Sequence, residues 1–81
     1  MNELKNQHLV VLYPNPASDF IKINGIEGTA QITVEDINGR SLLTKQIIDN
    51  ENISVGSLPN GIYIVKLTTS EGTTERKMVK K

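Results

Sequence analysis

Cysteine and tryptophan are absent from this chain of 81 residues, histidine occurs once, and the aromatic complement is two tyrosines and one phenylalanine. Without thiols there can be no disulfide staples, thiolate catalysis or thiolate zinc sites; the compartment stays open, because exported proteins often lack cysteine too. So few aromatic rings argue against a stacking platform for sugars or bases. Alanine is confined to Ala17 and Ala30, and no stretch sustains the i, i+3, i+4, i+7 apolar pattern, so helix is disfavoured throughout. No apolar run approaches the roughly 20 residues of a membrane span, so no membrane insertion is expected. Neither sign of charge dominates: nine basic and nine acidic residues cancel. A chain without a net field is a poor partner for nucleic acid or anionic lipid.

What is present points to strands. The best-specified stretch is Leu58 to Leu67, Leu-Pro-Asn-Gly-Ile-Tyr-Ile-Val-Lys-Leu. Pro59 presets a turn dihedral, Asn60 tolerates positive φ and Gly61 adopts it freely, which predicts a sharp reversal. A strand should follow at once, with Tyr63, Val65 and Leu67 on one face and Ile62, Ile64 and Lys66 on the other. Its apolar character predicts a central strand covered on both sides, with the Tyr63 hydroxyl held by a partner. Turn signals recur about every 8 to 12 residues, a spacing typical of sandwiches. Between them lie candidate strands at Leu9 to Tyr13, Phe20 to Asn24, Ala30 to Ile37, Arg40 to Ile48, Asn52 to Val55, Ile62 to Thr69 and Thr73 to Lys80. The expected fold is an all-β, immunoglobulin-like antiparallel β-sandwich of about seven strands. Asn38 and Gly39 suit a two-residue type I′ hairpin between the third and fourth strands. The short fifth strand should lie at an edge, and the last should be peripheral, contributing mainly Met78 and Val79 to the core. The polar residues 1–11 read as a leader or linker end, leaving 12–81 as one small domain whose stability should be modest.

The inventory for catalysis is thin. His8 has no second histidine or cysteine beside it and reads as a solvated leader residue. Asp49, Asn50, Glu51 and Asn52 cluster oxygens that could hold calcium, yet they lack EF-hand spacing and its glycine, so a polar turn is the plainer reading. Glu35 and Asp36 are adjacent and would point to opposite faces of a strand, which rules out a paired acid and base. No Gly-rich phosphate loop or nucleophile elbow is present, and Asn52-Ile53-Ser54 matches a glycosylation sequon of the kind that arises by chance. The chain is therefore expected not to be an enzyme and to need no cofactor.

Two stretches are less well explained by packing alone, Tyr13-Pro14-Asn15-Pro16-Ala17 and the basic chain end at Lys77, Lys80 and Lys81, and with Ile37-Asn38-Gly39-Arg40 and Leu58-Pro59-Asn60-Gly61-Ile62-Tyr63 between them they form an ordered pattern that closes on Lys80-Lys81. In this order and spacing they resemble the type A C-terminal sorting domain of the type IX secretion system of Bacteroidetes, over Leu12 to Lys81. The resemblance implies an immunoglobulin-like domain behind an N-terminal cargo that carries a Sec signal peptide. Such a domain is recognised in the periplasm, guides passage through the outer membrane, and is commonly removed at the cell surface by a sortase that can exchange it for a lipopolysaccharide. The implied partners are the secretion machinery, including outer-membrane shuttle and sortase components. The matching motif positions are Pro14, Asn15, Pro16, Gly39, Leu58, Gly61, Tyr63, Lys80 and Lys81.

Met1 to His8 contain no apolar signal-peptide core, so such a signal is expected upstream of the cargo. On this reading the last strand and basic end would dock on the machinery, adding a strand to an open edge in the partner, with Lys80 and Lys81 orienting the encounter. The competing reading is an adhesion or carbohydrate-binding module that works while joined to its cargo; a passive spacer is a third. Exposed edges also raise the expectation of an edge-strand homodimer in isolation.

Overall fold

The computed structural model describes residues 10–81. His8 and Leu9 lie outside the described residues. The elements are β1 (Val11–Tyr13), β2 (Phe20–Asn24), β3 (Thr29–Glu35), β4 (Ser41–Ile48), β5 (Ile53–Ser54), β6 (Gly61–Thr69) and β7 (Gly72–Lys80). They form a three-stranded sheet ordered β1-β2-β5 and a four-stranded sheet ordered β4-β3-β6-β7, with antiparallel pairing throughout. Alternation builds the core: Ile21 and Ile23 from β2, Ile53 from β5, Ala30, Ile32 and Val34 from β3, and Tyr63, Val65 and Leu67 from β6 all turn inward and are buried. Val10, assigned by its sequence position to the leader, is also buried in this cluster.

The strand β6 is central, flanked by β3 and β7, but it is covered on one face only. Ile62 is 48% exposed and Ile64 and Lys66 are half-buried, because a two-layer sandwich has no third layer to cover the outer face. For the same reason Val79, paired with Ile62 on that outer face, stays half-buried while Met78 is fully buried. The short β5 and the last strand β7 both lie at sheet edges, as their lengths and polarity suggest.

Two turns differ from expectation. The hydrogen-bonded turn before β6 falls three residues earlier, with the Leu58 N–H donating to the Val55 carbonyl at 3.0 Å. Asn60 keeps negative φ, and Gly61 alone at that bend takes positive φ, at 155°. The β3–β4 hairpin forms, but not through a type I′ pair, which needs positive φ at both central residues. Only Gly39 there is positive, at 84°, and the loop is anchored by the Gly39 N–H donating to the Asp36 carbonyl and the Asp36 N–H to the Arg40 carbonyl, each at 3.0 Å. This is a type I turn closed by a left-handed glycine. The Asp36 carboxylate selects it by accepting from the Asn38 and Arg40 N–H groups at 2.9 and 3.0 Å. The Arg40 N–H holds the Asp36 carboxyl below its ordinary value; desolvation opposes it, and the Asn38 N–H and the Arg40 guanidinium add to the lowering.

Candidate functional site

Leaving β1 at Tyr13, the chain passes through Pro14, Asn15 and Pro16, with both prolines on cis peptide bonds, and arrives beside β7. There the Asn15 side-chain amide acts like a peptide unit of an added strand. Its Nδ2 donates to the Lys77 carbonyl and its Oδ1 accepts from the Val79 N–H, both at 2.9 Å. Two residues on, the Ala17 N–H donates to the Val79 carbonyl at 2.7 Å and the Ala17 carbonyl accepts from the Lys81 N–H at 2.8 Å, forming a short parallel bridge. The methyl side chain of Ala17 is 1% exposed, and its small size suits so close an approach of two backbones.

This strap stands against docking through the end of the last strand: the Lys77 carbonyl, both main-chain groups of Val79 and the Lys81 N–H already have partners. Nor are the two terminal lysines alike. Lys81 is exposed, whereas Lys80 belongs to β7, points inward on the side of Thr74 and Met78, and is 6% exposed. Its Cα neighbour across the ladder is Gly61, whose lack of a side chain leaves the inner face open beside the long lysine stem. A solvated pair of terminal charges is therefore not what the fold builds: Lys80 is buried and Lys81 is exposed.

Register brings the remaining motif residues to the same end. Gly61 lies opposite Lys80, Ile64 opposite Glu35, and Glu35 opposite Ser41, so the start of β6, the end of β7 and the Asp36–Arg40 hairpin share one rim of the four-stranded sheet. Pro14, Asn15 and Pro16 reach this rim through the strap, and Leu58 packs on the core beneath it. Tyr63 is buried and its hydroxyl donates to the Pro59 carbonyl, the tyrosine-corner arrangement of immunoglobulin-like sandwiches. All the motif positions thus meet at one pole. Pro14, Asn15, Pro16, Gly39 and Lys81 are exposed there, while Leu58, Tyr63 and Lys80 support it from within.

The opposite pole holds Asp49–Asn52, and oxygens of Asp49, Asn50 and Glu51 are engaged by protein donors. Asp49 Oδ1 accepts from the Gly25 and Ile26 N–H groups at 2.7 and 2.9 Å. Asn50, with φ of 61°, accepts on Oδ1 from the Tyr13 hydroxyl at 2.6 Å and from Asn24 Nδ2 at 3.2 Å. Glu51 accepts from the Ile48 N–H at 3.1 Å and pairs with Lys45 Nζ at 2.8 Å. The Lys45 ammonium first, then the Ile48 N–H, holds the Glu51 carboxyl below its ordinary value. The cluster works as a clasp between the two sheets. With Tyr63 buried and the Tyr13 hydroxyl tied to Asn50, the two tyrosines form no joint open platform. Reading the sequence missed Asp36, Ala17 and Asn50 as organising residues; an aspartate three positions before Gly39 is the signal that could have revealed the first.

An immunoglobulin-like sandwich with a proline-rich strap closing its last strand, and its sequence motifs gathered at that strap, defines a small all-β domain built around its own ends. Residues 11–81 match the family described as secretion system C-terminal sorting domain, and the chain belongs to that family. It is a C-terminal secretion signal of type IX secretion. The chain is also similar to Beta-agarase D of Zobellia galactanivorans, 34% identical over 68 residues that make up 84% of this chain and 14% of that protein. It thus spans about one seventh of the length of that relative.

Proposed function

We propose that the folded domain is read as a non-catalytic address label at the pole formed by the strap, the Gly39 hairpin and the end of β7. Recognition takes place in the periplasm by the outer-membrane shuttle, followed by release at the surface by the sortase component. Pro14, Asn15, Pro16, Gly39 and Lys81 form the presented surface. Leu58, Gly61, Tyr63 and Lys80 hold it in shape. The observation that carries this reading is the convergence of motifs spread from residue 14 to residue 81 on one rim through the strap. A packing requirement alone does not account for exposed prolines and an exposed lysine in the same place.

The test is a fusion of this chain behind a signal peptide and a reporter, expressed in a bacterium with the type IX system. The intact fusion is expected at the surface. Lys81→Glu, which is exposed, is expected to lower delivery without lowering the melting temperature, whereas Lys80→Glu is expected to lower both. Surface delivery unchanged by Lys81→Glu would remove that lysine from the recognised surface. Retention of the intact fusion in the periplasm would defeat the whole reading.

A further inference from the structure

We infer that this domain docks by accepting a strand on the edge of β4, and that the strand it takes presents an acidic side chain between two apolar ones. The inference rests on the sorting reading above. It follows from the direction of main-chain groups across the four-stranded sheet. The strap fixes residues 77, 79 and 81 as outward-facing on β7, so Met78 and Lys80 bond inward to Tyr63 and Gly61. In an antiparallel ladder this parity passes from strand to strand. On β6 the even residues then face β3, on β3 the odd residues face β6, and on β4 residues 43, 45 and 47 face β3. Residues 44, 46 and 48 of β4 therefore point away from the sheet. Ile48 checks this independently: its N–H donates to Glu51 Oε1 and its carbonyl accepts from the Glu51 N–H at 3.2 Å, contacts open only to an outward group.

Among the described residues, β4 pairs with β3 alone. Glu51 closes its far end at Ile48, and a bulge at Leu42, unpaired between the Val34↔Leu43 and Glu35↔Ser41 pairs, closes the near end. The main-chain groups of Thr44 and Gln46 between them form a short docking window. Side chains define the visitor. Leu43, Lys45 and Ile47 lie on the inner side of this edge, with Leu43 half-buried, Ile47 buried and Lys45 exposed. A strand laid along it must offer apolar, acidic and apolar residues in alternation, its carboxylate sharing Lys45 with Glu51. A second copy fits worse. Antiparallel pairing of two β4 strands that uses both Thr44 and Gln46 sets Lys45 directly against Lys45, and like charges facing across a pair repel. The partner is therefore a strand of a different protein, in the setting of this domain a component of the export machinery.

The test uses the reporter fusion with Gln46→Pro and Lys45→Glu. Proline at position 46 removes an outward N–H while leaving the inward ladder intact, and Lys45→Glu sets a negative charge against the acidic visitor. Each variant domain is also melted, to show that it folds. The expected result is surface delivery of the intact fusion, reduced about tenfold by either folded variant, as the loss of a main-chain bond or a charge contact should do. Should Gln46→Pro not fold, Lys45→Glu decides. Full delivery by folded variants overturns the β4 inference and leaves the sorting reading standing, whereas failure of the intact fusion defeats both. A concentration-dependent dimer of the isolated domain that Gln46→Pro abolishes would assign the edge to a second copy and also overturn it.

Discussion

The two outer strands of the four-stranded sheet, β7 and β4, solve the same problem by different means. Both are long edges that would otherwise expose a row of main-chain donors and acceptors. The C-terminal end of β7 is closed from a distance, by Asn15 and Ala17, residues more than sixty positions earlier in the chain. Local devices guard β4: a bulge at Leu42, Glu51 at its end and a lysine on its inner face. The difference teaches that β7 is integrated into the domain and β4 is only blunted. An edge held by the chain's own strap is structural; one guarded by a bulge and a charge remains usable by a matching partner.

Core truncation should break the symmetry of the two strands most visibly. Met78 of β7 is fully buried, whereas Leu43 of β4 is half-buried. Met78→Ala is expected to cost about 2 to 5 kcal/mol through lost burial and a residual cavity. Leu43→Ala should cost about 1 to 2 kcal/mol, since only part of its surface returns to water. Chemical denaturation of the two variants measures both. Equal losses would mean that β4 is as deeply integrated as β7, and the contrast would fail.

A smaller effect should come from cutting the strap. Asn15→Ala removes both side-chain bonds to β7 while leaving the Ala17 bridge, and the exposed Lys77 and Val79 groups can then turn to water. About 0.5 to 1.5 kcal/mol per bond sets the scale, so a total loss of about 1 to 2 kcal/mol is expected. The more specific readout is hydrogen exchange, in which the Val79 amide should lose protection while amides of β3 keep theirs. Unchanged protection at Val79 would show that Asn15 is not what closes this edge.

The same contrast explains how much could be read in advance. Strand existence follows from local alternation, so β2 has the anticipated bounds of Phe20 to Asn24 and β3 buries the anticipated Ala30, Ile32 and Val34. The seven-strand sandwich and the Tyr63 hydroxyl bond were legible for that reason. The strap was not, because its pairing joins residues 62 to 64 positions apart and nothing near Pro14 announces β7. Proline signalled extended backbone; it could not say where that backbone lies. Lys80 misled through its chemistry, since a terminal lysine ordinarily reads as solvated, while its two-residue spacing from Met78 carried the correct inward direction. At Asn38-Gly39 the familiar dipeptide outweighed Asp36, whose carboxylate actually selects the turn.

The smallest expected effect is the pH response of the guard on β4. The folded domain holds Glu51 below its ordinary value, chiefly through the Lys45 ammonium and next through the Ile48 N–H. A carboxyl depressed on folding contributes stability that is present above its unfolded value, about 4.3, and is lost as pH falls through the lower folded value. Asp36 contributes with the same sign. The melting temperature should therefore fall as acid is added below about pH 4, and Glu51→Gln should flatten part of that slope. Because the pair is exposed, added salt should shrink its share further. Protonation also weakens the bond that closes the Ile48 amide, so exchange at Ile48 should quicken in acid relative to the intrinsic rate, while Val79, held by a neutral amide, should show no such change. Parallel behaviour of the two amides would mean that the carboxylate is not the guard of β4, and the distinction between a strap and a charge would lose its clearest signature.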